Sequence, residues 1–198
     1  MFAIVTDGNI TSFQKGNKGI QIGNNKYSAQ IYTLWTEAER NAIGVYTVEI
    51  DDTNKKDEEW YINTAISYAF GSGKVTGTYG TATAKAIEDE DAVDKDGNKV
   101  KDGDGNQIII EGLKTIKKKV INNQCAGILL PSDWRVVKAT ETGGTMDSGW
   151  KTWRASVRTK CNSMQTQIDN ASDVDALAAL FTRNESGVRP LGEFPIKG

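Results

Sequence analysis

The chain of 198 residues has no histidine, only two cysteines and three prolines, and no apolar run near the ~20 residues that a bilayer-spanning helix needs. Without histidine, Ser-His-Asp and Cys-His nucleophile systems and His-ligated metals are excluded, so an enzymatic reading has to rest on carboxylates or lysine. Cys125 and Cys161 stand far apart and show no Cys-x-x-Cys spacing for zinc. Each falls in a stretch of helical periodicity and reads as a small buried thiol, with a disulfide between the two helices as the alternative. The opening Met1 to Asp7 turns polar too soon for a signal peptide. That predicts a chain kept in a cytosol unless another machine exports it, with no membrane partner. A net charge of −2 and a pI near 5.3 remove any global pull toward nucleic acid, which is not expected as a partner.

What is present is turn chemistry. Twenty glycines against three prolines favour tight turns, and the length suits two compact units or one elongated domain. Asp7-Gly8-Asn9 separates Phe2–Val5 from Ile10–Phe13, as in a hairpin whose tight turn needs positive φ. Gly23-Asn24-Asn25 should close Ile20–Ile22 against Tyr27–Ile31. Thr36-Glu37-Ala38-Glu39 has capping-box spacing, and Gly44 stands where that short helix would stop. Val45–Ile50, Tyr61–Ile66, Tyr68–Phe70 and Val75–Tyr79 alternate apolar with polar residues and read as a small antiparallel meander. Between Ala82 and Gln107 the chain is acidic and Gly-rich, either a boundary or an exposed hairpin arm, and its apolar flanks at Val100 and Ile108–Ile110 favour the arm.

After Gly112 the period becomes helical. Leu113, Ile116, Val120, Ile121, Cys125, Ile128 and Leu129 share one broad face, with Lys114, Lys117, Lys118 and Lys119 mostly on a solvated one. Pro131 should end this helix near Leu130, leaving Ser132 or Asp133 to cap the next turn. A short segment from Trp134 runs to Gly143-Gly144. Trp150, Trp153, Val157, Cys161, Met164 and Ile168 then repeat at three and four residues, an inward stripe with the tryptophans as packing anchors. A last helix begins near Ser172-Asp173, and the tail from Gly187 should run extended over the surface. The fold class is therefore α+β, with a β-rich antiparallel N-terminal half before a helical hairpin or bundle. The expected divisions are 1–81, an arm or linker at 82–111, a helical module at 112–184 and an extended tail at 185–198.

Few constellations carry chemistry. Glu88-Asp89-Glu90-Asp91 could supply paired carboxylates, but consecutive residues on a Gly-rich arm lack the fixed, desolvated geometry that a carboxylate hydrolase demands. Asp94, Asp96 and Asn98, and again Asp102, Asp104 and Asn106, match the first three ligand positions of a calcium loop. Lys99 and Gln107 then replace the required glycine, and the terminal glutamate is missing in both registers, so Asp-Gly-Asn reads as turn chemistry. No cofactor or metal is expected. The lysine cluster has no aromatic or arginine neighbours of the kind nucleic-acid binding uses. Arg154 and Arg158, one turn apart, should pair with acids such as Asp133 or Glu141.

The run Leu129-Leu130-Pro131-Ser132-Asp133-Trp134, followed by Trp150-Lys151-Thr152-Trp153-Arg154-Ala155-Ser156-Val157-Arg158, resembles the phage tail assembly chaperone family. That family's pattern is a Leu-Leu-x-Ser-Asp-Trp corner and a helix of the form Trp-x-x-Tyr-Arg-x-x-Leu-Arg; Trp153 stands here for the tyrosine and Val157 for the leucine. The likeness covers the C-terminal third to half, with a looser one at Met1–Asn9 and Leu34–Arg40. It implies a non-enzymatic bacteriophage tail protein that works by protein contacts in tail or tail-fibre assembly, or as a structural component of the virion. The implied partners are other tail or tail-fibre proteins, with a homo-oligomer as a further option. The implied location is the host-cell cytoplasm during assembly, or the virion tail. The motif residues Leu130, Ser132, Asp133, Trp134, Trp150, Trp153, Arg154 and Arg158 have structural or interaction roles and no catalytic one. The rival class is a glycan-binding or calcium-dependent adhesive module of a tail fibre, built on the Gly-rich meander and acidic arm.

Overall fold

The computed structural model describes residues 1–198, and the chain divides into two compact units, Met1–Thr83 and Ala84–Gly198. Helix accounts for 35% of the chain and strand for 23%, with the strand-rich sheet in the N-terminal half, so the class is α+β.

In the first unit β1 (Phe2–Thr6) and β2 (Asn9–Gln14) form the expected hairpin, turned by Asp7 and Gly8 at φ of +50° and +77°. β3 (Ile20–Ile22) and β4 (Asn25–Tyr27) form the second. The second strand stops at Tyr27 rather than Ile31, because Ile31–Leu34 coils into a helical turn, α1, that buries Ile31 and Tyr32. Thr36 caps α2 (Glu37–Ala42) in a full capping box, and Gly44 ends it at a φ of +80°. Then follow β5 (Val45–Asp51), the short β6 (Tyr61–Ile62), β7 (Ser67–Gly71) and β8 (Lys74–Thr78).

The five-stranded sheet has the order β2-β1-β5-β8-β7 and is not the antiparallel meander that alternation suggested. β5 and β8 run parallel, with Val48 opposite Val75 and Asp51 opposite Thr78. The segment 52–66 is long enough to carry the chain past β5 to the far edge, so the β7–β8 hairpin returns with β8 on the inside. β1 is covered on both faces, which explains its unbroken apolar run. Ile4 packs with Ile31, Tyr32 and Val45, whereas Ala3 and Val5 pack with Val75. Phe13 of β2 and Tyr68 of β7 have ring centroids 4.6 Å apart, so the sheet curls until its two edges meet.

The short β9 (Thr83–Ala84) falls at the division, and the second unit opens with the arm, where β10 (Glu90–Asp91) pairs with β11 (Ile109–Ile110). Between them an eight-residue pattern, Asp94-Lys95-Asp96-Gly97-Asn98 and Asp102-Gly103-Asp104-Gly105-Asn106, forms two loops of one design. In each the first aspartate accepts amide hydrogens from the residues two and four positions on, at 2.8–2.9 Å. The residues opening each repeat close a ring of backbone bonds: Ala92 N–H to Ile108, Ile108 N–H to Val100, and Val100 N–H to Ala92.

Helix α3 (Leu113–Leu129) starts at Gly112, which offers no side-chain cap. Asp89 caps it from the arm, accepting the Gly112 amide at 2.8 Å and the Thr115 hydroxyl at 3.0 Å. A 3-10 turn (Leu130–Ser132) leads into α4 (Asp133–Glu141), and α5 (Ser148–Asp169) and α6 (Val174–Phe181) follow, capped by Asp147 and Asp173. The tail is not simply laid over the surface. Leu191 is fully buried, its amide donating to the Leu180 carbonyl, and the Pro195 carbonyl takes the Trp153 indole N–H at 3.0 Å.

The α3 stripe is narrower than the sequence reading. Leu113, Lys117, Ile121, Cys125 and Leu129 are buried, while Ile116 and Val120 are exposed. Lys117 is therefore not on a solvated face. Its stem is buried and its ammonium lies 5.2 Å from the Phe181 ring centre, the way a long amphipathic chain spends its carbons on a core. Lys114, Lys118 and Lys119 pair with Glu88, Asp169 and Glu111.

Candidate functional site

The helical corner is built around Arg154. On α5 the buried positions are Arg154, Val157, Cys161, Met164 and Ile168, so the inward stripe begins with an arginine rather than with the tryptophans. Trp150 and Trp153 share its spacing, yet the link before α5 leaves the first turns partly open, and both are half-buried. The two rings meet edge to face at 5.5 Å.

Burying a guanidinium is costly unless its donors are paired. Arg154 is 5% exposed, and Nη1 donates to the Leu129 carbonyl at 2.9 Å and to Ser132 Oγ. Nη2 donates to Asp133 Oδ1 at 2.5 Å, the pairing expected from the sequence. Ser132, also buried, passes its own hydroxyl hydrogen to Leu129 at 2.7 Å. The end of α3 is thus held by a side chain of α5, and the Leu129 carbonyl at the break is satisfied by side-chain donors. Neither Ser132 nor Asp133 caps α4 through its side chain, contrary to the sequence reading, because both acceptors are turned toward Arg154.

Trp134, a motif residue, does not pack between the helices. The 3-10 turn shifts the phase of α4, placing Ser132 inward and leaving Trp134 53% exposed. Its ring lies against Arg135, whose guanidinium carbon is 4.5 Å from the Trp134 centroid and 4.3 Å from that of Trp150. Lys197 of the tail lies 5.3 Å from the Trp150 ring. Leu130 and Arg158 are exposed and join neither cluster; Arg158 forms no ion pair and lines a groove with Val136 and Met146. Val136 and Val137 extend the exposed apolar surface of α4.

The acidic run and the calcium-like loops resolve into structural roles. Glu88 pairs with Lys114, Asp89 caps α3 and Asp91 pairs with Lys99. The Asn98 backbone N–H, with the Asn98 amide, holds the Asp94 carboxyl below its ordinary range, and the Asn106 backbone N–H does the same for Asp102. No group of three or more His, Cys, Asp or Glu side chains has a metal-holding arrangement. Cys125 and Cys161 are free, buried and close enough for their thiols to interact across α3 and α5; burial, then the neighbouring thiol, pushes the Cys125 thiol up. Sequence reasoning missed Arg135, because arginine was sought beside carboxylates rather than between indoles. The signal was the adjacency of Trp134 and Arg135.

No family model, no curated protein and no solved structure matches this chain. No helix is long and apolar enough to cross a membrane.

Proposed function

We propose that the chain is a non-enzymatic bacteriophage tail protein, acting by protein–protein contact in tail or tail-fibre assembly or as a structural component of the tail or fibre. The observation that carries the contact role is the division of labour at the corner. Ser132 and Asp133 are both bonded to Arg154, while Trp134, Val136 and Val137 on the adjoining helix stay exposed. A rigid corner that presents an apolar helix face suits docking, because little order is lost when a partner arrives. The bacteriophage context rests on the resemblance of this corner, Leu130-Pro131-Ser132-Asp133-Trp134 with Trp150, Trp153, Arg154 and Arg158, to the tail assembly chaperone pattern.

Quantitative mass spectrometry of purified virions, and of tail intermediates from infected cells, tests the reading. Stoichiometric presence in virions makes the chain a structural component, and presence only in intermediates makes it an assembly factor. Absence from both sinks the proposal.

A further inference from the structure

We infer that the groove between α4 and the first turns of α5 binds an acidic segment of a partner protein, through cations that have no acid of their own. The groove has two adjoining lobes of about 190 and 350 Å³ that share Thr145 and Met146. Arg135, Lys138, Lys151, Arg154 and Arg158 line them, against Asp147 as the single carboxylate. Asp147 is committed to capping α5, accepting the Gly149 and Trp150 amides at 3.0 and 3.2 Å. Arg154 is committed to the corner. The other four cations form no ion pair.

This is a local reversal of sign in a chain whose net charge is −2. Elsewhere in the same unit Lys114, Lys118, Lys119, Arg183 and Arg189 each hold a carboxylate. Arg135 is the preorganised member, since contact with two indoles restrains its guanidinium and leaves its N–H donors for a planar acceptor. The entropy that usually weakens a surface ion pair is then largely lost before binding.

The apolar lining from Val136, Met146 and Trp134 calls for aliphatic side chains beside the acids. A peptide fits this better than single-stranded nucleic acid, which binds by stacking bases on open aromatic faces. Arg135 already lies on both indoles, and Lys197 adds a second cation to Trp150. The inference deepens the contact-protein reading and rests on it only for the occupant being a protein.

The test uses the intact chain and follows the Trp134 and Trp150 indole N–H signals by nuclear magnetic resonance at physiological salt. Three probes are titrated: a short peptide alternating glutamate and leucine, its glutamine analogue, and oligothymidylate. The glutamate peptide should give saturable shifts at both indoles, with the glutamine analogue weaker by about tenfold or more, as loss of charge-assisted bonds implies. Arg135→Gln should weaken the glutamate peptide by a similar factor. Because Arg135 packs on two rings, the exposed Lys138→Gln serves as a second variant, also weaker, with the far-ultraviolet circular dichroism of both unchanged. No saturable shift with the glutamate peptide, equal affinity for the glutamine analogue, or tighter binding of oligothymidylate would each overturn the inference. None of these outcomes decides whether the chain travels with phage tails, which the virion measurement settles by itself.

Discussion

Arg154 on α5 donates to Asp133 at the start of α4 at 2.5 Å, and the same guanidinium reaches back to the Leu129 carbonyl that ends α3. One side chain therefore joins three helices. The partners are unequal, because the arginine side chain is 6% exposed and the carboxylate 49%. Arg154→Leu should cost about 3 kcal/mol, since it removes at once the bonds to the Leu129 carbonyl, the Ser132 hydroxyl and the Asp133 carboxylate. Asp133→Asn should cost less, because the amide oxygen still accepts from Arg154 and only the counter-charge of a half-exposed acid is lost. Urea denaturation of the two variants checks this, and equal losses would contradict the ranking.

The tail offers a second contrast. Leu191 is fully buried whereas Ile196 is 92% exposed. Leu191→Ala should lower stability by about 2–5 kcal/mol through the cavity it leaves. Ile196→Ala should stay within about 0.5 kcal/mol. Thermal or chemical unfolding distinguishes a docked tail from one that only lies on the surface, for which both changes would be small.

Two turn glycines separate backbone strain from crowding. Gly8 has a φ of +77° with open space around a hypothetical Cβ, whereas at Gly44, φ +80°, a Cβ would stand 2.5 Å from the Val5 carbonyl oxygen. Gly8→Ala should cost about 1 kcal/mol, from the left-handed conformation alone. Gly44→Ala must also move β1 and should cost clearly more, at least about 2 kcal/mol. Unfolding of the first unit followed by tyrosine and tryptophan signals compares them.

The arm should show a pH dependence of known sign. Asp94 and Asp102 titrate below the ordinary aspartate value of about 3.9, since amide hydrogens at Asn98 and Asn106 favour the charged form. A folded value below the unfolded one stabilises the loops above the unfolded value, and that contribution is lost as pH falls through the folded value. Carbon-13 carboxyl titration should give midpoints below about 3.9 for both residues, with the Asn98 and Asn106 amide shifts following the same curves. Midpoints at or above the ordinary value would contradict the loop bonding.

Local chemistry was the legible part of the sequence. Asp7-Gly8, the Thr36–Glu39 box and the α5 stripe from Val157 to Ile168 are each set by neighbours within a few residues, and each forms as read. Partner choice was not legible. Alternation in Val45–Ile50 and Val75–Tyr79 states that both are strands but is silent on which strand lies beside which, so the parallel β5–β8 pair was missed. Helix phase across a break was equally hidden: Pro131 announces the break, but the 3-10 turn decides that Ser132 points in and Trp134 out. Lys117 was misplaced because charge was weighed above its carbon stem. The eight-residue repeat was visible in Asp-x-Asp-Gly-Asn and was overlooked as two separate turns.

The most direct test of a tail-contact role places a photo-crosslinking amino acid at Val137, an exposed position on α4 outside the corner's bonds. After irradiation of infected cells, adducts with a tail or tail-fibre protein are expected, lost when the same amino acid replaces Asn9 on the N-terminal hairpin. Adducts confined to host proteins, or no adduct at Val137 with the chain abundant and folded, would contradict it.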